Sequence, residues 1–140
     1  MCSRYLNTAM LIVVTLVAGC ATTQQLVIKA DMAYATAVFA LDDAEYAACH
    51  PPTVSLPVDT CNQLDAKIGQ ALKDVQRVTL AVQKTPSVVP VDLPSLLTDL
   101  NNIQGILVSL PHMPIVTTLA TKTADANAKA ITLLAKIGGK

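Results

Sequence analysis

Aromatic side chains and net charge are both scarce in this sequence. It contains no Trp, one Phe and three Tyr, and only 14% of its 140 residues are charged. Ten basic and ten acidic residues balance, which excludes a field of one sign that would attract nucleic acid or an acidic substrate. The core must therefore consist of Ala, Val and Leu, and small aliphatic side chains of this kind suit closely packed helices.

The motifs of common catalytic centres are also absent from the sequence. It has no Gly-Lys-Ser/Thr phosphate loop, no Gly-x-Ser-x-Gly elbow, no His-Glu-x-x-His motif and no calcium-binding loop. Its nearest approach to a carboxylate cluster is Asp42, Asp43 and Glu45, of which Asp42 and Glu45 would share a helix face. Only burial would raise their pKa values, and we expect a solvated helix surface instead. The sequence therefore predicts no enzyme, no cofactor and no metal centre.

A short, mostly apolar stretch near the N-terminus has three parts. Arg4 lies in its polar start, residues 9–17 form the apolar part, and the small residues Ala18 and Gly19 follow. This layout is typical of a secretory signal peptide. An uncleaved membrane anchor is disfavoured, because a transmembrane helix needs about 20 apolar residues.

The segment 17–20, which reads VAGC, resembles the lipobox of bacterial lipoproteins. The resemblance implies that residues 1–19 are a cleaved signal peptide and that Cys20 becomes the acylated first residue, anchored in a lipid bilayer by palmitate-type chains. A thiolate is nucleophilic enough to take a diacylglyceryl group, and two or more acyl chains anchor a protein stably. In this family Asp after the acylated cysteine retains the protein in the inner membrane, so Ala21 favours the periplasmic face of the outer membrane. An ordinary signal peptide that happens to contain a cysteine is the alternative.

The mature chain, residues 20–140, is long enough for one domain and carries nine basic and ten acidic residues. Its two cysteines besides Cys20 are Cys49 and Cys61, which we expect to form a disulfide in an oxidising compartment. Closing a loop of this size should stabilise the fold by about 3 kcal/mol. A redox-active pair would favour a Cys-x-x-Cys spacing, and a zinc site with His50 would need free thiols, so both alternatives are less favoured.

Four stripes of apolar residues at steps of three and four predict four helices. They are expected at about 23–48, 61–84, 93–110 and 114–137, within a helical domain 26–140 that follows a lipidated tether at 20–25. The first two stripes are Val27, Ala30, Tyr34, Ala37, Leu41, Ala44 and Ala48, then Cys61, Leu64, Ile68, Ala71, Val75, Val78 and Val82. The other two are Leu93, Leu96, Leu100, Ile103, Leu107 and Leu110, then Val116, Leu119, Thr123, Ala126, Ala130, Leu133 and Ile137.

Local signals indicate where these helices begin. Thr22 with Gln25 and Thr60 with Gln63 have the spacing of capping boxes. Asp92 is a suitable N-cap for the third helix.

The connections between the predicted helices are short and contain proline, which makes successive helices antiparallel neighbours. The fold class expected is therefore all-α, an up-down-up-down four-helix bundle with one disulfide-closed loop. Two separate antiparallel helical hairpins remain the alternative.

This topology places the first and third connections at the end of the bundle away from the lipid anchor, which we call the distal end. Both histidines and most of the prolines fall there. The candidate interaction tip consists of His50, Pro51, Pro52, Leu56, Pro57, His112 and Met113. Two other interpretations stay open: prolines that merely end helices beside solvated histidines, or a two-histidine metal or proton-sensitive site.

We expect a membrane-anchored, periplasmic, non-catalytic binding or structural module of the cell envelope. Its partners would be the bilayer and possible envelope proteins, without nucleic acid. Two alternatives are a phage- or prophage-encoded envelope lipoprotein with an accessory or exclusion role, and a carrier of a small apolar ligand in a gap between the helices.

Overall fold

The computed structural model describes the backbone of residues 6–52 and 54–138 and the side chains of residues 24–52 and 54–138. Within these ranges the chain forms α-helices and no strand. The helices are α1 (Leu6–Cys49), α2 (Val58–Lys84), α3 (Leu93–Val108) and α4 (Pro114–Gly138). The predicted all-α fold is confirmed. The side chain of Cys20 lies outside the described residues, so its acylation stays a prediction.

Each helix contributes its apolar stripe to one common core. All seven residues of the predicted stripes on α2 and on α4 are buried. On α3 the stripe is buried from Leu93 to Leu107, and Leu110 packs against the core from the connection that follows. Three- and four-residue steps keep a stripe on one face of a helix, which is why these predictions succeed.

The four helices close into a bundle in which each contacts two neighbours. α1 packs against α2 and α4, and α3 packs against the same two helices. The hydroxyl of Tyr34 on α1 donates to the carbonyl oxygen of Val75 on α2, 3.3 Å away. Lys67 on α2 lies 3.6 Å from the carboxylate of Asp99 on α3. The contact between α1 and α4 is the most extensive of all, and it distinguishes a closed bundle from two separate hairpins.

Several helix ends differ from their predicted positions. α1 begins at Leu6, well before the expected start near residue 23. α2 begins at Val58, three residues before the prediction, and its N-cap is Pro57, so the expected Thr60 capping box is not at the helix start. The fixed φ of a proline prepares the chain for a helix without any side-chain hydrogen bond. α3 ends at Val108 instead of residue 110.

Asp92 occupies the predicted N-cap of α3, but its side chain makes no capping hydrogen bond. Its carboxylate lies 3.6 Å from the guanidinium of Arg77 instead. Arg77 is also 3.8 Å from Asp74, so a single basic side chain on α2 joins the buried acid of its own helix to the first turn of α3.

The predicted disulfide between Cys49 and Cys61 is confirmed, with an S–S distance of 2.04 Å. It joins the last residue of α1 to the first turns of α2. In the connection that it closes, the amide of Ser55 donates to the carbonyl oxygen of Ala48 at 2.8 Å. Leu56 is only 4% exposed and belongs to the core. The loop is therefore fixed both covalently and by packing.

Replacing both Cys49 and Cys61 by Ser should lower the free energy of unfolding by about 3 kcal/mol, because the unfolded chain regains the freedom that the cross-link removes. Urea denaturation of the oxidised protein, the reduced protein and the double variant measures this effect. The reduced protein serves as the control and should match the variant. A loss below about 1 kcal/mol would contradict the prediction.

Candidate functional site

The residues of the predicted tip differ in their exposure. Leu56 is buried in the core, and Met113 is partly buried against it. Pro51, Pro52 and Pro57 are exposed. The tip prediction is thus wrong for Leu56, because the closed connection turns this side chain inward.

The two histidines lie in separate depressions. His50 lines a depression of about 190 Å³ beside the disulfide. His112 lines another of about 370 Å³, formed mainly by residues of α4 with Leu107 and Val108 of α3. The two sets of lining residues share no member. The two histidines therefore line different depressions at the distal end.

His50 has a local role at the end of α1. Its ring stacks on that of Tyr46 at a centroid distance of 4.0 Å, with the planes 12° apart. Its Nδ1 lies 3.1 Å from the carbonyl oxygen of Tyr46, and its backbone amide donates to the same oxygen at 3.0 Å. The last carbonyls of a helix need such partners, so this histidine stabilises the helix end.

Glu45 is buried, which corrects the expectation of a solvated acidic surface. It is 2% exposed, and its Oε1 is buried without a hydrogen-bond partner. Burial raises the pKa of Glu45, the charge of Asp65 raises it further, and His50 opposes the shift. Burial also raises the pKa of Asp42, with contributions from Asp43 and Asp65.

The carboxylate of Glu45 and the two sulfurs of Cys49 and Cys61 all lie within 4.8 Å of one another. Thiolates with a carboxylate are a common set of metal ligands, but here the sulfurs are bonded to each other. The arrangement therefore places an unpaired carboxylate against a disulfide at the distal end.

A second set of buried or partly buried polar side chains lies on α1 and α2. The hydroxyl of Thr79 donates to Asp31 at 3.3 Å, and the side-chain amide of Gln70 donates to Asp74 at 3.2 Å. Burial raises the pKa of Asp31, which the hydrogen bond from Thr79 partly offsets. Burial, followed by the charges of Asp31 and Asp74, raises the pKa of Tyr34. Asp74 nevertheless keeps one carboxylate oxygen, Oδ2, buried without a hydrogen-bond partner.

The sequence contained a signal for both buried acids of α1. The predicted stripe followed Ala30, Ala37 and Ala44, whereas Asp31 and Glu45 occupy the buried positions one residue later. Val27, Asp31, Tyr34, Val38, Leu41, Glu45 and Ala48 are buried at the same steps of three and four. Of the three predicted alanines, Ala37 is also buried, whereas Ala30 and Ala44 are partly buried against the core.

The largest of the three depressions is an apolar groove on the outer face of the bundle, between α1 and α2. Its volume is about 560 Å³. Phe39 of α1, which is 54% exposed, and Leu80 of α2 form part of its lining. The complete lining is Ala35, Phe39, Leu72, Lys73, Val75, Gln76, Thr79, Leu80 and Gln83.

We name this surface the α1–α2 groove. It was not predicted, because Phe39 lies off the buried stripe. Exposed Ile28, Met32, Phe39 and Tyr46, at steps of four and seven, trace a second apolar line along α1 that could have indicated it.

Within the part of the chain that the structure describes, no helix combines the length and the apolar character that crossing a membrane requires. No protein-family model, curated protein or solved structure matches the chain.

The raised pKa of Glu45 predicts how stability depends on pH. The unfolded chain releases this proton near the ordinary value of 4.5, whereas the folded protein retains it to higher pH. The free energy of unfolding should therefore fall as pH rises from about 4.5 through the raised pKa. Glu45→Gln should remove this loss, so the variant should be more stable than the parent protein at about pH 7 and nearly equal to it at about pH 4.

Urea denaturation at both pH values measures the difference, and Asp43→Asn, on the exposed side of the same turn, is the matched control. A destabilised Glu45→Gln variant at about pH 7 would show that the carboxylate is paired in the folded protein.

Proposed function

We propose that the protein is a lipid-anchored, non-catalytic binding module of the bacterial cell envelope, which uses the α1–α2 groove to hold an apolar segment of another envelope protein. The observation that carries the proposal is the half-exposed Phe39 beside Leu80 in a groove of about 560 Å³. Large apolar side chains at the surface of a water-soluble domain mark sites of association when they are grouped.

The chemistry of the groove fits a protein partner. Aromatic side chains that can be fully covered contribute much of the binding energy at protein interfaces. Lys73 is the one charged residue among its lining residues, and the glutamines and Thr79 supply hydrogen-bonding groups beside the apolar surface. Such a mixture suits an amphipathic helix laid against two helices of the bundle.

The groove is a better candidate than the distal tip. At the tip, Leu56 is in the core and His50 is bound to the end of its own helix. The groove instead lies on two long helices, whose buried faces fix its walls. A ligand carrier would use a gap lined by Ala and Val between the helices, whereas the α1–α2 groove lies on the outer face of the bundle and contains Phe39 and Leu80.

The lipid anchor supports the location proposed for this module. The VAGC segment ending at Cys20 implies acylation, and the Cys49–Cys61 disulfide suits an oxidising compartment such as the periplasm. Ala21 after the acylated cysteine favours the outer membrane by the family's sorting rule. The anchor would keep the groove close to partners that also reside at the membrane.

A photo-crosslinking amino acid at position 39 should yield one discrete adduct in intact cells, because this position faces the occupied groove. The matched control is the same amino acid at position 131, since Ile131 on α4 is similarly exposed, at 52% against 54% for Phe39. A Leu80→Gln substitution in the same chain should weaken the adduct at position 39. Equal adducts at both positions, or none at position 39, would contradict the proposal.

The mass of the protein purified from bacterial membranes should correspond to a chain that begins at Cys20, carries acyl chains and contains one disulfide. Cys20→Ser should block both processing and lipidation, because serine provides no thiolate for the acyl transfer. The protein with Ala21→Ser, which leaves the cysteine in place, is the control. A soluble, unacylated native chain that retains Met1 would refute the anchor.

A further inference from the structure

The end of the bundle opposite the distal end, which we call the proximal end, brings three parts of the chain together. The connection 85–92 between α2 and α3 lies there. Val89 in this connection lies against Gly138 at the end of α4. The hydrogen bond from Thr79 to Asp31 places the neighbouring part of α1, near residue 24–31, at the same level.

Two valines project from this end into solvent. Val91 is 89% exposed and Val88 is 59% exposed, whereas Pro90 between them is buried and Val89 is partly buried. The connection is thus held to the bundle by its inner side chains while it presents apolar side chains outward. Leu26 on α1 is exposed at the same end.

The charges of the bundle are divided between its ends. Lys29, Lys84 and Lys136 lie exposed at the proximal end. The acids nearest to them are not free, since Asp31 is buried and Asp92 lies 3.6 Å from Arg77. The helix dipoles add no positive charge here, because the helix termini at this end are the C-termini of α2 and α4 and the N-terminus of α3.

The distal end has the opposite charge. Its acids are Asp42, Asp43, Glu45, Asp59 and Asp65, and residues 30–66 contain no Lys or Arg. The bases nearest to this end are Lys67, which lies 3.6 Å from Asp99, and Lys122. The distal end is therefore more acidic than the proximal end, although the whole mature chain is nearly neutral.

We propose that the proximal end docks on an acidic phospholipid surface, with Val88 and Val91 entering the headgroup region and Lys29, Lys84 and Lys136 contacting lipid phosphates. This inference rests on the proposed lipid anchor at Cys20. Cys20 lies seven residues before Val27, which corresponds to about 10 Å along a helix. The acyl chains would thus hold the proximal end within reach of the bilayer, and the bundle would stand upright with its acidic end away from the membrane.

Each valine and each lysine contributes only modestly to docking. The lipid tether makes their combined contribution sufficient. A lysine near an acidic bilayer surface changes the ratio of docked to undocked states by about fivefold. An anchored chain does not lose translational freedom on docking, because the acyl chains have already confined it to the surface. Small apolar side chains and three lysines then suffice to orient the bundle.

Tryptophan fluorescence tests the orientation directly, because the chain contains no Trp and an introduced one can be excited at wavelengths that its three Tyr do not absorb. The full acylated chain with Val91→Trp is reconstituted in vesicles of phosphatidylethanolamine and phosphatidylglycerol that carry brominated acyl chains. Its emission should shift to the blue and be quenched. The matched control, Val108→Trp, replaces a valine that is 72% exposed at the distal end and should remain unquenched.

The charge contribution is tested with Lys84→Gln in the Val91→Trp chain. This change should lower the docked-to-undocked ratio about fivefold, and replacing phosphatidylglycerol by phosphatidylcholine should lower it further. Lys122→Gln, on the exposed face of α4 toward the distal end, should have no effect.

Flotation of the vesicles separates this inference from the proposed anchor. A chain that floats with the vesicles while its Trp at position 91 stays unquenched would overturn the docking and leave the anchor intact. Equal quenching at positions 91 and 108 would also overturn it, because the bundle would then lie on its side. A native chain that neither carries acyl groups nor floats would refute the anchor on which the docking depends.

Discussion

A single seam of small aliphatic side chains, contributed by all four helices, holds the structure together. Leucine, isoleucine and valine recur along it at steps of three and four, and alanine occupies buried positions on three of the helices. Alanines let helix axes approach closely, so a core with no Trp and one buried Tyr can still be densely packed. The groove, the tip and the proximal end take their positions from this seam.

The seam of α1 is not purely apolar, and its two acids have different environments. Asp31 accepts a hydrogen bond from Thr79, whereas Glu45 leaves one oxygen unpaired beside the disulfide. A buried, unpaired polar atom destabilises a fold, and an apolar side chain in its place is often the more stable choice. Because Cys49 follows Glu45 by one helical turn, the covalent cross-link fixes the same end of the bundle in which this carboxylate is buried.

The sequence predicted the elements with strong periodicity and missed features that depend on how the helices are rotated. The stripes of α2 and α4 were correct at every position, although Asp74 is also buried on α2. On α1 the packed bundle buries Asp31 and Glu45, which lie one residue after the predicted Ala30 and Ala44. Pairing Cys49 with Cys61 needed only a count of the cysteines in the mature chain. The depressions beside His50 and His112 and the α1–α2 groove depend instead on tertiary packing.

The most extensive helix contact joins the first helix to the last, and this has a consequence for how the chain acquires its fold. While a ribosome is still making the chain, α1 can pack only against α2, because α4 has not yet been synthesised. The bundle therefore cannot close until α4 has been made. Contacts between such distant segments slow folding, because a long loop must be closed first. A polypeptide built in this order therefore lacks its closing contact, α1 against α4, until α4 has been made.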